Sequence, residues 1–361
     1  MKSFCVLNEQ QDDSTYERVG SAACELFSGK IGVACDGGDA AFRVISLVAS
    51  GVAKSGRRAV DFGCINESRI PFLLLNYRLS AVIFVSCGFF VRFYSVDSNQ
   101  TESNIKELLS GLLSSDEVFL SDGGEVIDIN SDLSYFSALL AAAESLEDTV
   151  SCIVSRNADI KGALCSVINR AGGDLASKPK LFLSASGLCV SAADEQGNIL
   201  KHSNLLEICS VCHLETGADL TVPFYASPKL ELIAASSGAK LKRSFDAGSE
   251  MWQNDGLFLA VELLKNMSRY GMGLCSMSKR VGTSAVVRKN LRCSMSVDAL
   301  ADIIPCEEMV TDGRSIYARI GGGQVLLTHS AVHGSYCMEA SCADSETAAE
   351  LSGKIANLLS S

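Results

Sequence analysis

Apolar runs alternate along this chain with stretches in which apolar residues return every three or four positions. Residues 31–35 are an unbroken apolar run, and the polar turn Asp36, Gly37, Gly38, Asp39 follows. Phe42, Ile45, Val48, Ala49 and Val52 then recur at helical spacing, Gly56 stops the helix, and residues 58–62 return to a strand. A strand period that switches to 3.6 and back marks a βαβ unit. The pattern recurs at residues 149–175, with a strand at 150–154, a helix at 160–170 and the stop Gly172-Gly173. It recurs again at 219–245, where Ser227 is placed as a helix N-cap, Pro228 as the first helical residue and Gly238 as the stop. Three such units predict three related α/β layers.

The tail differs in kind. Residues 315–320, 324–328 and 335–340 read as strands, and Ser345 opens an amphipathic helix with Ala348, Leu351, Ile355 and Leu358 on one face. Strands covered by one helix predict a small α+β domain. The mixed polar run at 275–289 reads as the hinge into it.

Composition narrows the function classes. The 361 residues carry 31 Lys+Arg and 42 Asp+Glu, a net charge of -11, and 47% are hydrophobic. That hydrophobic content excludes a disordered chain, and the acidic balance argues against nucleic acid as a partner. The mean hydropathy of +0.22 raises a membrane question. The richest stretch, 79–91, is closed by Arg78 and Arg92, well short of the roughly 20 residues a span needs. The opening residues reach acids and amides too early for a signal peptide, so the expectation is a soluble, cytoplasmic protein with no membrane partner.

There are 15 cysteines, an odd number spread over the whole chain, as expected of reduced thiols in a cytosolic protein. Cys209, Cys212 and His213 spell a haem-attachment spacing. No second such pair accompanies it, and the segment also reads as a helix with Leu205, Ile208 and Cys212 on one stripe, which predicts buried helix cysteines.

Several longer motifs carry a resemblance. Val91-Arg92-Phe93-Tyr94-Ser95-Val96-Asp97 is similar to a Gly-Ile-Lys-Phe-Tyr strand ending in Asp, and a helix over 103–113 follows it. Ala193-Asp194-Glu195-Gln196-Gly197-Asn198-Ile199-Leu200 is similar to a Val-Asp-Glu-x-Gly-x-Ile-Leu hairpin, and this is the most specific match. Asp255-Gly256-Leu257 opens a helix, and 341–359 looks like a closing helix. In this order the pieces resemble the α-D-phosphohexomutase superfamily, which includes phosphoglucomutase, phosphomannomutase and phosphoglucosamine mutase. The resemblance implies an α/β fold of phosphohexomutase-like α/β/α layers with a small C-terminal α+β domain. It divides the chain into 1–148 (domain I), 149–178 (a remnant of domain II), 179–278 (domain III) and 279–361 (domain IV), shorter than family members. It also implies a phosphoserine, a Mg²⁺ held by three aspartates, and a hexose phosphate substrate.

The chemistry-bearing residues of that family do not carry over. Its phosphoserine falls on Gly88, in Ser86-Cys87-Gly88-Phe89-Phe90; a shifted register would bring Ser86 to the nucleophile position instead. Its three metal-binding aspartates fall on Ser184, Ser186 and Leu188, and its arginine on Cys189. Two hydroxyls and an alkyl chain are poor ligands for a hard cation, so no cofactor is expected; Mg²⁺ is expected only if the family chemistry survives. The sugar loop keeps only Glu250 and Trp252 as candidate contacts. Thr328-His329-Ser330-Ala331-Val332-His333-Gly334 occupies the phosphate loop, with Thr328, His329, Ser330 and His333 as candidate anion contacts.

Other features read as architecture. Asp36 to Asp39 would offer a helix N-terminus to phosphate, but its own carboxylates oppose an anion. Ser121-Asp122-Gly123-Gly124 reads as a hairpin turn. Cys87 with Arg92 is one residue short of a cysteine-phosphatase loop. Taken together, the residues predict a phosphohexomutase homologue without mutase activity that binds, regulates or supports, its partner a hexose phosphate or a protein. The alternatives are an active mutase built on Ser86 with a metal site assembled from Asp194 and Glu250, and a sugar-phosphate sensor without turnover.

Overall fold

The computed structural model describes residues 2–95, 110–111, 123–245, 248–281, 284–330 and 334–360. Val96 and Asp97, all but residues 110–111 of the helix expected at 103–113, the first half of the turn at Ser121, and His333 lie outside the described residues. The chain forms two compact units: Met1–Ala193 with Met251–Ser268, and Asp194–Glu250 with Arg269–Ser361.

Unit 1 begins with β1 (Lys2–Leu7), α1 (Asp13–Leu26), β2 (Ile31–Cys35), α2 (Asp39–Lys54), β3 (Arg58–Cys64), α3 (Ile70–Asn76), β4 (Ala81–Ser86), β5 (Phe90–Ser95) and β6 (Glu125–Asp128). These strands form one sheet in the order β1-β5-β4-β2-β3-β6. The four strands β4, β2, β3 and β6 run parallel, and β5 runs against β4 and β1. Every residue of β2 is buried, which is why its sequence is an unbroken apolar run instead of an alternation. Asp12 opens α1 by accepting the Thr15 N–H at 2.7 Å. Val19, Ala23, Val44, Ile45, Val48 and Val52 from α1 and α2 share a core with Ile31, Val33 and Ile83 of the sheet.

The rest of unit 1 is α4 (Asp132–Ala143), β7 (Val150–Ser155), α5 (Ala158–Arg170), β8 (Asp174–Leu183) and β9 (Val190–Ala193). β7 runs parallel to β8, and β9 antiparallel to it. Asn157 caps α5 by accepting the N–H groups of Asp159 and Ile160 at 3.0 and 3.3 Å.

Unit 2 continues with β10 (Ile199–Leu200), α6 (His202–Glu215), β11 (Leu220–Pro223), α7 (Lys229–Ser237) and β12 (Leu241–Ser244). α8 (Gly256–Tyr270) lies mostly in unit 1 and is followed by α9 (Leu274–Val281), β13 (Ala285–Arg292), α10 (Val297–Ile303), β14 (Glu308–Thr311), β15 (Ser315–Ile320), β16 (Gly323–His329), β17 (Ser335–Cys342) and α11 (Ser345–Ser360). The helix expected to begin at Pro228 starts one residue later, at Lys229, with Pro228 and not Ser227 as its N-cap; the Lys229 N–H donates to the Ser227 hydroxyl at 3.2 Å.

Two expectations change. Residues 275–289, expected as a mixed polar run without elements, carry ordered structure on both sides of 282–283. They hold α9 and the start of β13, because Leu274, Cys275 and Met277 are buried and the Glu195 carboxylate accepts the Leu274 and Cys275 N–H groups, both at 2.8 Å. The C-terminal sheet also has five antiparallel strands, β13-β17-β16-β15-β14, instead of three. β13 escaped because Arg288, Lys289 and Arg292 break its apolar alternation. α10 and α11 supply Val297, Leu300, Ala348, Leu351 and Ile355 to the core under this sheet. The α/β class with a C-terminal α+β domain stands.

Candidate functional site

In unit 1, the parallel strands β2 and β4 end at Cys35 and Ser86. Cys87 and Gly88 turn the chain into β5 with φ of 51 and 82, and the Phe89 N–H donates to the Ser86 carbonyl at 3.2 Å. Positive φ at both central residues is the geometry of a tight hairpin. A non-glycine residue such as Cys87 seldom adopts it, and here a local bond holds it in place. The Cys87 N–H donates to both oxygens of Asp36, at 3.2 and 3.0 Å. A carboxylate therefore takes the backbone donor of the turn. A Cβ built on Gly88 would lie 3.1 Å from the Ala40 Cβ, at a φ that L side chains rarely adopt. A serine is a poor fit there. Ser86, the alternative nucleophile, is half-buried at the end of β4.

The turn between β8 and β9 holds Ser184, Ser186 and Leu188, onto which the resemblance carries the metal-binding aspartates. The Ser184 and Ser186 hydroxyls are 3.2 Å apart and bonded to each other. Ser184 also accepts the Cys189 N–H at 3.1 Å, and Ser186 the Leu188 N–H at 3.4 Å. The Ser186 carbonyl accepts the Ser68 N–H at 3.1 Å, and the Ala185 carbonyl accepts an Asn157 side-chain N–H at 3.2 Å. Both hydroxyls thus bond within the turn, and Leu188 brings no donor atom. These residues do not fit the magnesium ion of the phosphohexomutases.

Behind this turn lies a buried polar cluster. The Gly256 N–H donates to the Gly187 carbonyl at 3.1 Å, and a Cβ on Gly256 would meet that oxygen at 2.4 Å, so only glycine allows the approach. Its neighbour Asp255, 1% exposed, caps α8 by accepting the Leu257 N–H at 2.7 Å, and it accepts the Tyr135 hydroxyl at 2.6 Å. Burial pushes the Asp255 carboxyl up to about 7, against the pull of the Tyr135 and backbone donors. The Arg69 guanidinium lies 5.0 Å from the Tyr135 ring centroid and pairs with Asp132. Tyr135, Ser68 and Arg69 were not singled out from sequence. The only signal for Tyr135 is its place on the apolar face of a helix.

In unit 2, Asp194 builds its own hairpin. It accepts the N–H groups of Gln196 and Asn198 at 2.9 and 2.8 Å and the Asn198 side-chain N–H at 2.9 Å. Burial alone would raise its carboxyl, but the Asn198 and Gln196 donors outweigh it and hold the group below the usual carboxylate range. Half-buried Glu250 accepts the Ser249 hydroxyl at 3.4 Å. Trp252 belongs to unit 1, where it is 6% exposed.

Thr328, His329 and Ser330 are half-buried at the end of β16. The Thr328 hydroxyl accepts that of Ser315 at 3.4 Å. The His329 N–H donates to the Arg314 carbonyl and the Ser330 N–H to the Ser335 carbonyl, both at 2.9 Å. The His329 ring packs edge-on against Tyr336 at 5.1 Å. Sheet pairing therefore uses both of these backbone donors. Cys209 and Cys212 are both 0% exposed on α6, and His213 lies 3.3 Å from the Asp219 carbonyl. Among the described residues no group of three or more His, Cys, Asp or Glu could hold a metal ion, and no helix is long and apolar enough to cross a membrane.

No known family profile matches the chain, and no curated protein matches it in sequence. Solved structures do. The chain is similar to a phosphoglucomutase/phosphomannomutase family protein from Burkholderia thailandensis, at TM-score 0.76 and 12% identity, over 98% of this chain and 94% of that one. It is similar to a putative phosphomannomutase from Thermus thermophilus, at TM-score 0.66 and 12% identity, over 99% and 97%. It is also similar to the exocytosis-sensitive phosphoprotein pp63/parafusin, a phosphoglucomutase from Paramecium, at TM-score 0.66 and 10% identity, over 99% and 94%. At such identity the likeness lies in architecture and not in side chains, and in architecture this chain has the α-D-phosphohexomutase fold.

Proposed function

We propose that this protein keeps the phosphohexomutase architecture without the mutase chemistry and serves as a binding, regulatory or structural homologue. Phosphoryl transfer depends on placed charge: a nucleophile, a metal and cationic donors around the moving group. The observation that carries the reading is the closed state of the Ser184–Cys189 turn, whose hydroxyls bond to each other and to backbone N–H groups where three carboxylates would be needed. The Gly88 turn supports it, because the Asp36 carboxylate already occupies its backbone donor.

The test is turnover. Glucose 1-phosphate, mannose 1-phosphate and glucosamine 1-phosphate, each with the bisphosphate activator and Mg²⁺, are expected to show no isomerisation above background. Losing a nucleophile and a Lewis acid together costs several kcal/mol each, on the order of 10³-fold or more in rate apiece. Measurable isomerisation that disappears in Ser86→Ala would instead establish an active mutase with an unusual nucleophile. Saturable hexose-phosphate binding without turnover would make the protein a sugar-phosphate sensor.

A further inference from the structure

β13 is the last strand at one edge of the C-terminal sheet, paired on one side with β17 and on the other with no strand among the described residues. Just past its end, and still in register, the Cys293 N–H donates to the Gly334 carbonyl at 2.9 Å. In an antiparallel pair, bonded and non-bonded residues alternate, so this bond fixes the phase for the whole strand. Ala285, Val287, Lys289 and Leu291 bond to β17, and Val286, Arg288, Asn290 and Arg292 turn their N–H and C=O groups to the open edge. All four of these outward residues are exposed. Such a row of unpaired backbone groups is a template for one more strand.

The side chains give this edge a sign. In a chain with 42 Asp+Glu against 31 Lys+Arg, β13 carries Arg288, Lys289 and Arg292 and no acid. Ala285, Val287 and Leu291 pack on the core beneath the sheet, so Arg288 and Arg292 leave from the opposite face. Lys289 leaves on the core side and is exposed there. Cations therefore flank the open edge on both faces. Arg288 pairs with Glu339 of β17 at 2.8 Å, while Lys289 and Arg292 have no carboxylate partner among the described residues.

We propose that β13 is a docking edge for an acidic, extended segment of another protein, which adds to the C-terminal sheet as a further strand. Main-chain bonds to the outward groups supply the affinity, and carboxylates opposite Arg288, Lys289 and Arg292 select the partner. A second copy of this chain is the poorer occupant. Two β13 strands paired antiparallel would set Arg288 and Lys289 against the same cations of the other copy, and like charges directly opposite are unfavourable. The charges that guard the edge against indiscriminate pairing thus leave it open to a strand that neutralises them. The proposal holds whether or not the protein turns over a sugar phosphate, so it and the proposed function can fail separately.

The experiment titrates full-length protein into a fluorescein-labelled, end-blocked peptide of eight residues, with glutamate at its first, fourth and fifth positions and valine or threonine elsewhere. In antiparallel pairing these glutamates fall opposite Arg292, Lys289 and Arg288. Anisotropy should show saturable binding that weakens with added salt. The peptide with lysine in place of glutamate should not bind. The acidic peptide with proline at its third and seventh positions keeps its charge but loses two ladder donors, and it should bind about tenfold more weakly. In the protein, K289E/R292E should weaken the acidic peptide about tenfold. Asn290→Pro removes an outward N–H and no bond of the sheet, so it should weaken binding to a similar degree while thermal unfolding stays near the wild type. No saturable binding of the acidic peptide, equal binding of either control peptide, or unchanged affinity in K289E/R292E or in folded Asn290→Pro would each overturn the proposal. Self-association of the protein that Asn290→Pro abolishes would make the occupant a second copy, and would overturn it too.

Discussion

Two turns in this chain lie close in sequence and are built on opposite terms. The Asp194–Asn198 turn of unit 2 keeps a residue pattern similar to the phosphohexomutases, and its carboxylate accepts three donors from its own hairpin. The Ser184–Cys189 turn of unit 1 is the one onto which the resemblance carries the metal-binding aspartates, and its hydroxyls bond to each other and to the turn. In the first, the familiar residue is part of the backbone's hydrogen bonding. In the second, the groups that would face a ligand are absent and the turn is stitched shut. A likeness in the first turn therefore says how the chain folds, and a difference in the second bears on what it can do.

The largest expected effect lies behind the closed turn. Asp255 goes from an ordinary value of 3.8 to about 7 in the folded protein. The folded state thus holds this proton more tightly, so this group's contribution to stability is fully present below about pH 4 and is lost as pH rises toward 7. Taken across the whole interval, that is on the order of 4 kcal/mol. Urea unfolding of the wild type against Asp255→Asn should show this slope in the first and lose it in the second. Next, Gly256→Ala should destabilise by about 3 kcal/mol, because its Cβ would press on the Gly187 carbonyl and push the Ser184 turn off α8. The same unfolding measurement reads it.

A direct test of the comparison follows. Asp194→Ala should cost about 2 kcal/mol, since it removes a charged acceptor from three bonds, whereas Ser184→Ala and Ser186→Ala should each cost under about 1 kcal/mol. Equal costs would erase the distinction between the two turns. The smallest effect is on metal. By calorimetry the wild type should show no saturable Mg²⁺ binding at millimolar concentration, while the triple variant S184D/S186D/L188D should gain it. Wild-type binding that vanishes on altering this turn would contradict the account.

Much of the fold was legible because its strands and helices differ in period. The fully buried β2 and the stripe Ile45, Val48, Ala49 and Val52 on α2 announce themselves in the chain, whereas Phe42, expected on that stripe, is exposed. β13 did not, because as a strand carrying Arg288, Lys289 and Arg292 it lacks the alternation that marks a half-buried strand. α9 was hidden for a different reason. Its N-terminal donors are satisfied by Glu195, a residue far away in sequence, so no local cap signals its start. At the candidate site, the substitutions at Gly88, Ser184, Ser186 and Leu188 could be read directly. The bonds that close these turns could not, because Asp36 reaches the Cys87 N–H across two strands and Ser68 reaches Ser186 from a separate element.

The central claim, that the nucleophile and metal machinery are absent together, is tested most directly by the mass of the protein itself. Purified full-length protein incubated with glucose 1,6-bisphosphate and Mg²⁺ should keep its unmodified mass, and peptide mapping should find no phosphoserine at Ser86. A gain of one phosphoryl group that maps to Ser86 and is lost in Ser86→Ala would contradict it.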